Sequence, residues 1–384
     1  MHRIDSVNPT ALIYRSELLP TSETFIDAQA HALRRYQPVF AGLRRIHTGL
    51  ELDPEETVVL TRGDGFRDKL RRRHFLETGI APDFLRKLAL HHPVLIHAHF
   101  AVDAAAALPI QKHLGVPLIV TLHGYDATST DDAMRATAAG RTYLRRRDEL
   151  FARASLFLCV SEHIRAQAVA HGFPEAKLRT LRIGVDIDLF APDPLRSRSR
   201  DPIVLFIGRL VEKKGCSHLL RAMRLISGRF PSAKLLIVGD GPLLENLRGE
   251  ARRTLRNCTF LGPQPASVVR DLMHRASVLA APSIVAASGD TEGLPIVLCE
   301  AQAMALPIAG FEGPGVSEAV INEETALLAH SGDEPALAER IAAILGDPEL
   351  AARLGEAGRR RAVACFSLAR QTALLELVYD ELLS

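Results

Sequence analysis

The chain has 384 residues, 47% hydrophobic and 24% charged, with 47 Lys and Arg against 45 Asp and Glu. That length exceeds what one hydrophobic core usually organises, so two domains are expected, and the composition excludes long disorder. A net charge of +2 gives no general case for a nucleic-acid partner, although residues 1–184 hold 25 basic and 20 acidic side chains and the remainder 22 and 25.

The opening MHRIDSVNPT lacks the apolar core of a signal peptide, and no later run approaches the ~20 apolar residues that span a bilayer. Strand patterns follow at Ala11–Tyr14, Val39–Leu43, Thr57–Leu60, Val94–Ala98, Leu118–Leu122, Leu156–Val160 and Arg179–Ile183, with helical periodicity near 22–36, 102–114, 131–152 and 161–170. Residues 191–202, APDPLRSRSRDP, carry three prolines and alternating Arg and Ser, the composition of a linker. Strands then resume at Ile203–Gly208, Lys234–Gly239, Thr259–Gly262, Val278–Ala281, Pro307–Ala309 and Ala326–Ala329. Helical patterns lie near 216–229, 243–255, 266–276, 295–305 and 335–345, and the chain from Glu334 to Leu383 reads as helix alone. Such alternation implies parallel sheets covered by helices on both faces, hence an α/β protein of two Rossmann-like domains. The expected divisions are 1–184, a linker at 185–202, a second domain at 203–366 and a helix at 367–384. The five cysteines, Cys159, Cys216, Cys258, Cys299 and Cys365, form no CxxC pair. They fit reduced thiols in the cytoplasm rather than a disulfide or zinc scaffold.

In open α/β sheets ligands bind at the carboxyl ends of strands, so chemistry is sought in the loops there. Pro282–Gly310 holds Glu292 and Glu300 with seven residues between them. Gly293-Leu294-Pro295 reads as a tight loop entering a helix, whose free N–H groups suit a phosphate or sugar hydroxyl. The two carboxylates suit vicinal hydroxyls of a sugar or ribose, or are solvated helix glutamates. Phe206–Gly215, FIGRLVEKKG, places Arg209, Lys213 and Lys214 after a strand, where a diphosphate would need them; the alternative is a solvated basic turn. Thr121–Asp126, TLHGYD, projects His123 from a strand end with Gly124 behind it.

Other signals carry less. Gly239-Asp240-Gly241 begins like a dinucleotide fingerprint but has Leu244 where the third glycine belongs, and reads as a helix-opening turn. Asp186-Ile187-Asp188 has the spacing of a metal-chelating pair but sits between the domains. His91, His92, His97 and His99 lie near one strand without a nearby carboxylate, so no metal site is expected.

Taken together, the three stretches resemble the GT-B-fold retaining glycosyltransferases of family 4. Ile183-Gly184-Val185-Asp186 is similar to that family's domain crossover, Pro282-Ser283 to the segment before the glutamate pair, and Gly313–Val320 to the loop after it. Ser22–Ile26 with Ile96–Phe100, IHAHF, resembles the branch that builds bacterial exopolysaccharides such as colanic acid. The likeness runs over roughly residues 20 to 380. Arg15–Ser22 replaces the family's glycine-rich loop, Ile183 stands where Asn is usual, and Phe311–Gly315 lacks the paired glycines.

The resemblance implies two Rossmann-like domains facing a cleft, with the C-terminal helix crossing back to the first. It implies hexose transfer from a nucleotide-diphosphate sugar to a glycan acceptor, expected to be lipid-linked, with retained anomeric configuration and no metal or other cofactor. Arg209 and Lys214 would hold the diphosphate, assisted by Gly208 and by the backbone of Gly293 and Leu294. Glu292 would contact the transferred sugar, Glu300 the ribose, and His123 the sugar beside its anomeric centre. Ser22, Glu23, Thr24, His99 and Asp126 would lie on the acceptor side. Rival readings are a nucleotide-sugar epimerase on the same fold and a non-catalytic nucleotide-sugar-binding subunit. The window 62–87 carries eight Lys and Arg against four Asp and Glu, with Phe66, Leu70 and Phe75 interspersed. It reads equally as a segment lying on the anionic inner membrane surface or as a solvated basic helix.

Overall fold

The structure is a computed structural model that describes residues 8–46, 49–193 and 201–384. The chain separates into two compact units, Met1–Gly184 with Leu368–Ser384, and Val185–Ser367. Residues 194–200, within the expected linker, lie outside the described residues. The described residues ahead of them belong to the second unit, where Val185 N–H donates to the Phe366 carbonyl at 2.7 Å and Arg359 donates to the carbonyls of Ile187 and Phe190.

Among the described residues, the first unit has eight parallel strands: β1 (Thr10–Tyr14), β2 (Glu17–Leu18), β3 (Gln37–Arg45), β4 (Thr57–Thr61), β5 (Pro93–His99), β6 (Leu118–Leu122), β7 (Leu156–Cys159) and β8 (Leu178–Thr180). Their order is β2-β3-β1-β5-β6-β7-β8, with β4 also on β3. All five residues of β6 are buried, as a strand covered on both faces requires. The register sets Ile13 opposite Phe40 on one side and His97 on the other. The core gathers Ile13, Tyr36 and Phe40 with Leu375, Val378 and Tyr379 of the helix Leu368–Leu383. Polar contacts fix that helix: Glu376 accepts from the N–H groups of Arg34 and Arg35 at 2.7 Å each, and Asp380 accepts from the Tyr36 hydroxyl at 2.7 Å.

In the second unit the described strands are β9 (Ile203–Ile207), β10 (Lys234–Val238), β11 (Cys258–Gly262), β12 (Val278–Ala281), β13 (Ile308–Phe311) and β14 (Leu327–Ala329), in the order β11-β10-β9-β12-β13-β14. The order reverses at β9 and β12, as it does at β1 and β5 in the first unit. Such a reversal opens a crevice outside the carboxyl ends of the two central strands.

Some elements differ from the sequence reading. The helix expected at 131–152 is two, Asp131–Arg135 and Ala138–Arg153, because Thr130 and Thr137 each turn a side-chain oxygen onto the following turn and cap a new start. The helical tail is three helices, Glu334–Gly346, Pro348–Cys365 and Leu368–Leu383, the second begun by the Asp347 carboxylate. The window 62–87 holds two helices, Phe66–Thr78 and Pro82–Ala89, parted by Gly79 in the left-handed conformation.

Candidate active site

At the reversal of the second unit, the loop after β9, Gly208–Gly215, meets the loop after β12, Pro282–Pro295. Lys213 pairs with Asp290 at 2.9 Å, the Ala287 N–H donates to Glu212 at 3.2 Å, and the Ile284 N–H donates to the Lys213 carbonyl at 2.8 Å. Gly215 makes the join possible: its φ is +64°, and an added Cβ would stand 1.8 Å from the Pro282 oxygen. The two loops are therefore one body.

That body brings Lys214 and Glu292 together. Lys214 Nζ lies 2.6 Å from Glu292 Oε1, which also accepts from the Ser283 hydroxyl at 3.0 Å. Burial pushes the Glu292 carboxyl up, but Lys214 and Lys213, with the hydrogen bonds from Lys214 and Ser283, outweigh it and hold the group below the ordinary glutamate range. Arg209 differs: it is exposed, and its side chain makes no ion pair or hydrogen bond with another described residue. A cation placed at a strand end without a protein partner is available to an anion. Gly208 has no free N–H to offer a ligand, and its position leaves room for a side chain. Its N–H is taken by the Val238 carbonyl at 3.0 Å, and a Cβ there would lie 3.5 Å from the Lys214 side chain.

The helix Ile296–Ala303 starts after Pro295 with no capping side chain; the Leu298 N–H donates to the Pro295 carbonyl at 3.0 Å, and those of Ile296 and Val297 find no partner among the described residues. The amides of Gly293 and Leu294 likewise find no partner among the described residues. Glu300, a little over one turn into this helix, is partly buried with no ion pair or hydrogen bond from its carboxyl among the described residues, and burial raises that carboxyl from the ordinary 4.5 to about 7. Glu292 and Glu300 thus sit in opposite electrostatic settings, one held ionised and one easily protonated.

The first unit carries its own cluster at the reversal of β1 and β5. Arg15, directly after β1, donates from Nε and Nη2 to both oxygens of Glu23, at 2.9 and 2.6 Å, and from Nη1 to Asp103. Its guanidinium lies 4.4 Å from the centre of the Phe100 ring. Phe100 has φ +70°, a strained backbone for a bulky residue of the kind that gathers at functional sites. The His123 ring packs between Phe25 and Phe100, with centroids 5.1 and 4.5 Å away. His123 Nε2 is 3.0 Å from His99 Nδ1, while His123 Nδ1 is buried and unpartnered.

Of the residues expected on the acceptor side, Glu23 is occupied by Arg15. Asp126 uses one oxygen on the N–H groups of His123 and Gly124, at 3.1 and 2.9 Å, and the other on Ala101, at 3.0 Å. It holds the His123 loop and the start of the helix Ala101–Leu114. Ser22 is exposed and Thr24 half-buried. His97 is bonded through both nitrogens, to Tyr379 and Thr121. Asp186 accepts from the N–H groups of Asp188 and Leu189, shaping a turn. The sequence reading gave no role to Arg15, Asp103 or Ser283, although Arg15 follows a strand directly and Pro282-Ser283 matches the segment before the glutamate pair.

A profile described as "Glycosyl transferases group 1" matches residues 190–361, and one described as "Glycosyltransferase Family 4" matches residues 28–189. The chain is 31% identical over 299 residues to the GDP-mannose-dependent alpha-(1-6)-phosphatidylinositol monomannoside mannosyltransferase of Mycolicibacterium smegmatis, covering 75% of this chain and 76% of the relative. It is 29% identical to WcaL of Escherichia coli, a protein assigned to colanic acid biosynthesis as a glycosyltransferase, over 64% of this chain and 60% of that one. The sucrose-phosphate synthase of Thermosynechococcus elongatus superposes with a TM-score of 0.78 at 23% identity, covering 98% of this chain and 99% of that one. The fold is GT-B, and the chain belongs to the group 1 glycosyltransferases.

Proposed function

We propose that the chain is a retaining, metal-independent hexosyltransferase. It moves a hexose from a nucleotide-diphosphate sugar to a lipid-linked glycan in cell-surface polysaccharide biosynthesis. The observation that carries this is Arg209, exposed and without a side-chain partner among the described residues, on the same loop as Lys214 at the strand reversal of the second unit. An Arg fork, a Lys point charge and the open amides of Gly293 and Leu294 suit a diphosphate, and they stabilise charge as it develops on the leaving nucleotide. Glu292, kept ionised by Lys214, accepts from hydroxyls of the transferred sugar. Glu300 takes a ribose hydroxyl, and His123 lies beside the sugar. The new bond forms on the face the nucleotide leaves, and the departing phosphate takes the acceptor proton, so no enzymic nucleophile is required. A hydrolytic pair of carboxylates would leave Arg209 and Lys214 without a part. The mycobacterial relative's name, with its GDP-mannose donor and phosphatidylinositol mannoside acceptor, supports a nucleotide sugar and a lipid-borne glycan.

The helix Phe66–Thr78 supports a peripheral position on the inner membrane face. Phe66 and Leu70 are 76% and 50% exposed. Arg71, Arg72 and Arg73 are paired with Asp83, Asp64 and Glu77, while Arg67 and Lys69 have no ion pair among the described residues. No helix among the described residues is long and apolar enough to cross a membrane. Attachment would therefore rest on this face.

The test measures release of nucleoside diphosphate from a panel of uridine- and guanosine-linked sugars, with and without a polyprenyl-diphosphate glycan. The expected result is acceptor-dependent release unaffected by EDTA, with the donor's anomeric configuration retained in the product by NMR. Arg209→Ala should lower kcat by ~10²–10³, the size of losing one electrostatic donor, at unchanged Tm. Conversion of the sugar without acceptor would make the chain an epimerase, and binding without release a non-catalytic subunit; either outcome sinks the proposal. Phe66→Ser with Leu70→Ser should reduce sedimentation with anionic vesicles.

A further inference from the structure

Strand register explains why three histidines stack. His97 and His99 are two apart on β5 and so share a face, and His99 stands opposite Thr121 of β6, two residues before His123. The His97 and His99 rings stack at 4.5 Å and 27°, the His99 and His123 rings at 5.2 Å and 23°. His97 is fixed at both ends, by the Tyr379 hydroxyl at 2.6 Å and the Thr121 hydroxyl at 2.7 Å. His99 is thus clamped between an immobile ring and His123, with its Nδ1 aimed at His123 Nε2 at 3.0 Å.

Burial, reinforced by the neighbouring imidazoles and the Arg15 cation, holds His99 and His123 well below the ordinary histidine range, so both are neutral. Two neutral imidazoles in contact share one hydrogen, which leaves two arrangements. If His99 donated, His123 would carry its hydrogen on Nδ1, a buried N–H with no partner. A bare acceptor is better tolerated in that position than an orphaned donor.

We propose that His99 is a positioning residue: it accepts the Nε2–H of His123 and thereby fixes that ring in one tautomer and one orientation, with Nδ1 bare. The effect of that orientation on turnover rests on the proposed placement of His123 beside the transferred sugar. His99 itself touches no substrate in this arrangement, and its role differs from the acceptor contact expected from the sequence.

The experiment is ¹⁵N NMR of the full chain labelled at histidine, with the His123 signals identified by their loss in His123→Gln. The wild type should show His123 protonated on Nε2 only. His99→Phe keeps a ring but removes the acceptor, and should mix the tautomers and lower kcat about tenfold, the worth of one neutral hydrogen bond. His99→Asn places an amide oxygen near the lost Nδ1 and should restore both. A wild-type His123 protonated on Nδ1, or an unchanged tautomer in His99→Phe, overturns the proposal. If the tautomer follows His99 while turnover does not, the positioning stands and the sugar contact of His123 fails. Should His99→Phe not fold, the wild-type spectrum decides alone.

Discussion

A carboxylate buried like Glu292 stays ionised chiefly because Lys214 is 2.6 Å away, with Lys213 and the Ser283 hydroxyl adding to it, so Lys214 and Glu292 form one energetic unit. Lys214→Ala should destabilise the protein by about 2 kcal/mol or more by leaving an unpaired buried charge; the effect sits toward the low end because Lys214 keeps some contact with water. Lys214→Met combined with Glu292→Leu should regain most of that in calorimetry and still release no nucleotide. A single variant as stable as the double would refute the pairing. Glu300 behaves in the opposite sense. The unfolded chain loses this proton near 4.5, whereas the folded protein keeps it to about 7. Between those values the folded state binds more protons, so stability falls as pH rises, and the loss is complete above 7. Glu300→Gln should therefore stabilise the ligand-free protein at pH 8 by up to about 3 kcal/mol, with the gain shrinking below pH 7 and gone near 4.5. A pH-independent difference in denaturant midpoints would refute this. Arg209, Lys214, Glu292 and Glu300 are all visible in the sequence, because strand ends and motif spacing mark them. Their pairing is not, since nothing local in Lys213-Lys214 says which lysine reaches Glu292 and which reaches Asp290.

The loops after β9 and β12 work as one element because Gly215 lets them touch. Gly215→Ala would place its Cβ 1.8 Å from the Pro282 oxygen at a φ of +64°, where an L side chain is strained. The expected outcome is a loss of about 2 kcal/mol or more, with a larger rise in KM for the donor than fall in kcat; an unchanged KM would mean the loops move independently. Alternating apolar runs and amphipathic stretches make the parallel sheets legible, since period and length alone separate strands such as β6 from the helices around them. Strand order is not legible, because no periodicity in β9 or β12 records that they are neighbours. The break at 136–137 was missed because it needs no Gly or Pro: the Thr137 hydroxyl accepting from the Gly140 N–H at 3.0 Å suffices.

At the scale of the molecule, the chain is two cores, and the last helix belongs to the first of them. Its amphipathic pattern shows in the sequence, but which core it joins depends on partners more than three hundred residues away, such as Arg34 and Arg35 for Glu376. The excess of basic side chains in residues 1–184 is equally visible, but which cations are paired is not: Arg71, Arg72 and Arg73 meet Asp83, Asp64 and Glu77. Removing residues 368–384 would strip Leu375, Val378 and Tyr379 from the first core and leave the N–H groups of Arg34 and Arg35, and His97 Nδ1, without their partners. Each lost large side chain is worth about 2–5 kcal/mol, and their sum is comparable to the whole stability of a domain. The second core, Val185–Ser367, keeps all of its own contacts. Calorimetry of the truncated chain should therefore show the transition of the first unit lost or shifted far down. The transition of the second should stay in place and rise with added nucleoside diphosphate, because a ligand that binds only the folded state stabilises it. A uniform fall of one transition would mean the two cores unfold as one.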